Sequence, residues 1–213
     1  DIYTRLVYGG RMSLVSGLIP VLLATLIGGT LGIVAGMSGR LVNGVIMRVT
    51  DVFFAFPSIL LAVAISGILG SGLGNTLTAL TVVFIPQLIR VAEAATVQIG
   101  KQDFIDAARA TGASPLLILT SQILPNVLGP ILVFSTSLVA ISMIVAAGLN
   151  FIGLGITPPT AEWGSMLNEL RDAIYIDPSL SVLPGVLIVV TSLAFNLLSD
   201  GLREAMNIRG PRA

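Results

Sequence analysis

Four long stretches of the chain carry no charged side chain, and they dominate its pattern of hydrophobic and polar positions. The stretches cover residues 12–39, 52–89, 110–161 and 178–199. A membrane-spanning helix needs about 20 apolar residues, so each stretch is long enough to hold at least one. The second stretch is interrupted at 71–75 by Ser-Gly-Leu-Gly-Asn, a turn-forming sequence, and is therefore predicted to hold two.

The pattern thus predicts five spans, at about 13–37, 52–70, 75–97, 127–149 and 180–199. A helix on the surface of a soluble protein shows a polar stripe. These runs have none, which argues against one large buried helical core. We expect an all-α fold, a polytopic bundle of membrane helices, in which residues 1–213 form a single transmembrane domain within the lipid bilayer. Gly28, Gly32 and Gly36, spaced four apart, predict close packing of the first span on a neighbour.

Composition supports this class of protein and excludes others. Charged residues make up 10% of the chain and hydrophobic residues 54%, whereas an ordinary soluble domain has about 25% charged residues. The 11 basic and 11 acidic residues cancel, so no nucleic-acid partner is expected. The sequence contains neither Cys nor His, which excludes Ser-His hydrolases and H-E-x-x-H metalloproteases. We therefore expect no bound metal and no other cofactor.

The distribution of basic residues predicts the orientation in the membrane, because cytoplasmic segments are enriched in Lys and Arg. With a cytoplasmic C-terminus, the inner segments hold eight basic residues: Arg40, Arg48, Arg90, Lys101, Arg109, Arg203, Arg209 and Arg212. The outer segments then hold three: Arg5, Arg11 and Arg171. We expect a multi-pass protein of the cytoplasmic (inner) membrane, with an inner loop at 98–126 and an outer loop at 150–178.

Charged residues near the span ends suggest local pairs. Arg90 and Glu93 lie three residues apart and are predicted to pair on one helix face. Asp51 likewise lies three residues after Arg48, and it is predicted to anchor the start of a span at the membrane interface. Trp163 lies in the acidic outer loop, where a tryptophan is normally an interfacial anchor.

The inner loop is predicted to begin with a short helix over residues 103–110. Asp103 is expected to cap its start, since a short carboxylate can accept hydrogen bonds from free backbone N–H groups. Phe104, Ala107 and Ala108 are expected to share a small apolar face. Such a helix, lying outside the bilayer, could dock in a groove of another protein or could pack on its own bundle.

A turn and a second helix are predicted to follow. Gly112 can supply a left-handed residue after the first helix. Ser114 and Pro115 are typical of a helix start, with Ser as the cap and Pro at the first helical position. Pro125 is predicted to break the chain before the next span.

Five blocks of this sequence resemble the permeases of ABC importers. The run D-A-A-R-A-T-G-A-S at 106–114, followed by I-L-P-N at 123–126, resembles the EAA loop. Blocks at 5–14, 47–57, 151–167 and 184–204 are similar to the second permease subunit of dipeptide, oligopeptide and nickel importers. The sequence departs from the common family pattern at four positions: Asp106, Gln122, Ala146 and Ser199.

The resemblance implies a type I importer fold and a set of partners. The first helix of the six-helix family permease would precede Asp1, and residues 1–12 would form an outer amphipathic segment. The partners would be a homologous second permease, two cytoplasmic ATP-binding subunits and an external substrate-binding protein. Two groups of residues are implied as sites. The loop coupled to the ATPase would contain Asp103, Asp106, Ala107, Ala108, Gly112, Ser114, Pro115 and Pro125, and the outer loop facing the binding protein would contain Trp163 and Gly164.

The chain itself is not expected to be an enzyme. It has no G-x-x-x-x-G-K-[ST] phosphate-binding motif, so ATP hydrolysis would fall to the partner subunits. The function predicted is half of a translocation path for di- and oligopeptides, with nickel or another chelated metal as the alternative cargo. An intramembrane hydrolase would need a Ser-Lys or Asp-Asp pair, and the single lysine, Lys101, lies in a loop. An ion channel would need no ATPase, and the EAA-like loop argues against it.

Overall fold

The computed structural model describes residues 1–157 and 159–207. Over these residues the regular elements are helices. In chain order they are α1 (Ile2–Met37), α2 (Arg40–Phe54), α3 (Ser58–Leu69), α4 (Leu73–Gly100), α5 (Asp103–Ala110), α6 (Pro115–Ile118), a π-helical turn (Leu119–Ile123), α7 (Leu124–Phe151), α8 (Trp163–Glu169), a 3-10 turn (Arg171–Tyr175) and α9 (Pro178–Asn207). The prediction of an all-α fold is confirmed.

Four helical segments in the described part of the chain are long and apolar enough to cross a membrane. They are α1, α4, the continuous helix from Pro115 to Phe151, and α9. The bent pair α2–α3 makes a fifth if it counts as one span. The expected number of about five is therefore confirmed, and four of the five predicted positions coincide with a single long helix.

A close helix packing joins α1 to α4 through the predicted glycine stripe. A Cβ atom built on Gly28 would lie 2.7 Å from the carbonyl oxygen of Ile85, and one on Gly32 would lie 2.5 Å from that of Ile89. Gly36 is equally tight against the next turn of α4. Because only glycine leaves space for backbones this close, the stripe fixes how α1 lies on α4.

The two ends of the bundle carry different features. The start of α1 lies at the α8 end, where the indole of Trp163 packs on Gly10. The end of α1 lines a cavity with α4, α5 and α6 at the opposite end, called here the α5 end. Helix α9 starts beside α8 and runs to the α5 end, where Met206 contacts Gly129. The end of α9 and the loop at 98–126 therefore lie on the same side of the bundle.

The predicted span at 52–70 is wrong as a single helix. Helix α2 ends at Phe54, α3 begins at Ser58, and their axes differ by 87°. The break falls at Pro57, because proline has no N–H to donate and disfavours a helical residue before it. Helix α3 has 12 residues and is about 18 Å long at 1.5 Å per residue, which is shorter than the roughly 30 Å hydrocarbon core.

Two other boundaries also differ from expectation. Pro125 does not break the chain, since one helix of 37 residues runs from Pro115 to Phe151. The π-helical turn at Leu119–Ile123 ends two residues before Pro125, and its changed hydrogen-bond register accommodates a residue without an N–H. Residues 1–12 are not a separate segment, because they form the first turns of α1, with Asp1 as the N-cap.

Candidate functional site

The α5 helix has the predicted extent but a different cap. Gln102, with extended backbone angles, occupies the N-cap position and makes no side-chain capping bond. Asp103 is already helical, so its predicted capping role is wrong, and its carboxylate instead lies at the positive end of the helix dipole. Asp106 forms an exposed ion pair of 3.1 Å with Arg109 within the same helix.

The predicted apolar face of α5 is divided between the bundle and the surface. Ile105 is fully buried in the core, and Ala108, three residues later on the same side, packs partly against it. Phe104 and Ala107 remain exposed. One side of α5 therefore packs on the bundle, while Phe104 and Ala107 lie on the opposite, exposed side.

Gly112 closes α5 as predicted. Its φ of +81° is in the left-handed region, where a residue with a Cβ is strained. The Gly112 N–H donates to the carbonyl of Arg109 at 3.0 Å, and the Ala113 N–H donates to that of Ala108 at 3.1 Å. These two bonds form a Schellman motif. Nothing lies within 4 Å of a Cβ built at Gly112, so backbone conformation alone makes glycine necessary.

The start of α6 also follows the prediction. The Ser114 hydroxyl accepts a hydrogen bond from the Leu117 N–H at 3.3 Å, and Pro115 takes the first helical position. Leu116 and Leu117 are exposed by 69% and 54%. Exposed apolar side chains therefore lie on both sides of the glycine turn. The two leucines directly follow the predicted Ser114–Pro115 helix start, but the sequence alone did not indicate that they would be exposed.

A cavity of about 500 Å³ lies beneath the α5–α6 turn. The residues lining it come from the ends of α1 and α4 and from the turn itself, and include Gly36, Thr96, Lys101, Arg109, Pro115 and Ile118. Ile105 and Ile118 are buried in the core on either side of the turn. The turn is thus held to the bundle by two buried isoleucines, and between them it lies over the cavity.

Trp163 and Gly164 were expected in the outer loop facing a partner. Both residues are instead buried against other helices of the same chain. The Trp163 side chain is buried, and its Nε1–H donates to the Leu6 carbonyl at 2.8 Å. A Cβ on Gly164 would lie 2.5 Å from the Cα of Ala147, so glycine lets α8 approach α7. A large indole with one N–H is stabilised by burial with a hydrogen-bond partner, and here α1 supplies that partner.

Glu162 is a buried carboxylate that the sequence analysis did not single out. It is 1% exposed and caps α8, with Oε2 accepting from the Ser165 N–H at 2.9 Å. Its Oε1 accepts from the Ser13 hydroxyl at 2.7 Å, and that hydroxyl accepts from the Trp163 N–H at 3.1 Å. The network ties α8 to α1.

The predicted pair of Arg90 with Glu93 is wrong. Arg90 Nη2 lies 2.5 Å from Oδ1 of Asp51, and the guanidinium lies over the ring of Phe54 at 4.5 Å. Glu93 instead accepts from the side-chain amide of Asn43 at 2.8 Å. Helix α2 packs beside α4 at this level and supplies these partners, which spacing along α4 could not reveal. Asp51 likewise pairs with Arg90, on another helix, and not with a residue of its own helix.

Comparisons with known proteins agree with this architecture. Residues 28–209 match the family described as binding-protein-dependent transport system inner membrane component. The chain is 43% identical over 207 residues to the glutathione transport system permease protein GsiD of Pectobacterium atrosepticum, covering 97% of this chain and 69% of that protein. The protein of the same name from Salmonella paratyphi A is 45% identical, with 97% and 68% covered.

Solved structures show the same fold. The inward-facing MetNI methionine ABC transporter gives a TM-score of 0.77 at 22% identity, with 94% of this chain and 95% of that chain covered. An amino acid ABC transporter with histidines gives 0.70 at 18% identity, with 95% and 94% covered. With the family match, these findings confirm the resemblance drawn from the sequence. The chain belongs to the family of binding-protein-dependent transport system inner membrane components, the multi-pass permease subunits of ABC importers.

Proposed function

We propose that this permease forms half of the path by which an ATP-driven importer carries di- and oligopeptides across the cytoplasmic membrane. The relatives are named for the transport of glutathione, which is itself a small peptide, and this supports a peptide cargo. The other half of the path comes from a homologous permease. An external binding protein delivers the substrate, and two cytoplasmic ATP-binding subunits supply the energy.

The observation that carries this proposal is the exposed α5–α6 turn. Its conformation is set by a glycine with positive φ, and apolar side chains are exposed on both sides of it. We assign the docking of the ATP-binding subunit to this turn. The proposed coupling residues are Asp103, Asp106, Ala107, Ala108, Gly112, Ser114, Pro115 and Pro125.

These residues have different tasks in the proposed coupling. Ala107 and Phe104 touch the ATP-binding subunit, because both are exposed on the outward side of α5. Gly112, Ser114 and Pro115 set the angle between α5 and α6. Pro125 lies at the start of α7, just after the π-helical turn, and in the proposed coupling a movement of α6 passes through this turn into α7.

We further propose an orientation in which the α5 end and the C-terminus are cytoplasmic and α8 lies on the outer side. The surface of the α8 loop then faces the binding protein. Trp163 and Gly164 act from within, by fixing the shape of that loop. The excess of basic residues in the inner segments supports this orientation.

Reconstitution tests the proposed function. The permease is purified with its partner permease and ATP-binding subunits, placed in proteoliposomes with the binding protein, and supplied with labelled peptides or a nickel chelate. We expect ATP-dependent uptake of peptide. Uptake of the nickel chelate alone would assign the other cargo, and uptake without ATP would indicate a channel and contradict the proposal.

A further inference from the structure

The Arg90–Asp51 pair is an unusual feature of so apolar a chain. Arg90 lies ten residues before the end of α4 at Gly100, or about 15 Å along the helix axis at 1.5 Å per residue. The side chains of the pair are 50% and 55% exposed on the surface of the chain. Charged side chains at membrane depth are costly against lipid and normally face a bundle interior or a water-filled cavity. We therefore expect this surface to face the path or the partner permease and not lipid.

A groove opens beside Arg90. The residues that line it come from four helices and are Phe54, Ser58, Gln87, Arg90, Val91 and Phe134. The lining thus combines three polar side chains with two phenyl rings. A mostly apolar concavity with a few convergent polar groups is the usual composition of a site for a small ligand.

The Arg90 guanidinium is positioned by two contacts that leave N–H donors for a second acidic partner. Asp51 accepts a hydrogen bond from Nη2 at 2.5 Å, and Phe54 covers one face at 4.5 Å. A guanidinium carries five N–H donors in a fixed plane, so donors remain for a ligand in the groove. Planar, bidentate binding of a carboxylate is the geometry that arginine favours.

We propose that Arg90 binds a carboxylate of the transported peptide as it passes through the path, while Asp51 and Phe54 hold the guanidinium in position. Ser58 and Gln87 offer hydrogen bonds to the peptide's amide groups, and the two phenyl rings contact its apolar side chains. This inference rests on the proposed function, since it names a contact of the same cargo.

The test compares two substrates in the reconstituted complex. Uptake is measured for a tripeptide with a free C-terminal carboxylate and for the same tripeptide amidated, each at a concentration that saturates the binding protein. We expect Arg90→Gln to slow uptake of the free acid about tenfold and to bring the ratio of the two rates close to one. Arg90→Lys keeps the charge and should retain part of the preference.

Two control variants distinguish carboxylate binding by Arg90 from a purely structural role of its side chain. Arg48→Gln removes an exposed charge that lies on α2 one turn before Asp51 and outside the groove. This variant should change neither rate. The double variant Asp51→Asn/Arg90→Gln keeps a hydrogen-bonding pair without charge. It should assemble with the partner subunits and retain ATP hydrolysis stimulated by the binding protein, yet lose the preference for the free acid.

The outcomes are distinct. If the wild-type complex imports no peptide, the proposed function fails and this inference falls with it. If the wild type imports peptide but shows no preference for the free acid, Arg90 does not bind the carboxylate. If Arg90→Gln slows both peptides equally, Arg90 only holds α2 against α4, and the inference is overturned.

Discussion

The N–H of Ala113 donates a hydrogen bond of 3.1 Å to the carbonyl oxygen of Ala108, and this bond turns the chain back across the end of α5. The bond requires Gly112 between the two residues to adopt a φ of +81°. The angle between α5 and α6 therefore depends on one residue without a side chain.

Replacing that glycine should impair coupling without preventing insertion. Gly112→Val places a β-branched residue in the left-handed region, which costs about 1–2 kcal/mol and favours a different turn. We expect weaker association with the ATP-binding subunit and reduced peptide-stimulated ATP hydrolysis, both measured on the reconstituted complex. Gly67→Val is the matched control, because Gly67 lies inside α3 outside the left-handed region and has open space around it. Wild-type hydrolysis in Gly112→Val would show that this turn is not the coupling element.

The exposed side of α5 allows docking to be tested apart from folding. Ala107 is exposed, whereas Ala108 packs partly on the core. Ala107→Arg should lower co-purification of the ATP-binding subunit while the thermal unfolding midpoint of the permease in detergent stays unchanged. Ala108→Arg should lower both. Ala107→Ser serves as the conservative control, and normal co-purification of Ala107→Arg would place the docking surface elsewhere.

Thiol labelling can determine the orientation without background, because the sequence has no cysteine. We expect Ser114→Cys in intact cells to react with a membrane-permeant maleimide and to resist an impermeant one. Tyr175→Cys, at an exposed position beyond α8, should react with both reagents. The reverse pattern would mean that the α5 end lies outside.

The packing of α1 on α4 gives a matched pair of glycine substitutions. A Cβ on Gly32 would lie 2.5 Å from a backbone oxygen of α4, while the nearest atom to a Cβ on Gly29 is at 3.9 Å. Gly32→Ala should therefore destabilise the permease by about 1–3 kcal/mol through overpacking, and Gly29→Ala should not. Thermal unfolding in detergent measures the difference, and equal midpoints would show that α1 can shift away from α4.

The sequence was most informative where a local rule decides the structure. A glycine after a short helix, a Ser-Pro pair before the next and uncharged runs of span length predict the α5–α6 turn and most spans, because each depends on residues near in sequence. Pro125 shows the limit of such rules. The π-helical turn before it keeps the helix continuous, and nothing in the local composition marks a change of hydrogen-bond register.

The contacts that sequence analysis missed join residues far apart in the chain. Arg90 pairs with Asp51 across two helices because Pro57 bends the α2–α3 segment and places α2 beside α4. Glu162 meets Ser13 because α8 folds back onto the start of α1. Spacing within one helix can suggest partners three or four residues away, but it carries no information about which helix lies alongside.

Helix α1 is one continuous helix that reaches from the α8 end of the bundle to the α5 end. Its 36 residues extend over about 54 Å at 1.5 Å per residue. The part from Gly10, on which the indole of Trp163 packs, to Met37, at the cavity under the α5–α6 turn, accounts for about 40 Å of this length at the same rise per residue. We therefore expect a displacement of α8 to be transmitted along this one helix, whose far end borders the α5–α6 turn. Pro20 lies inside α1, and proline is the commonest point at which a long helix bends. We expect the stiffness of α1 about Pro20 to determine how much of a displacement at the α8 end reaches the α5 end.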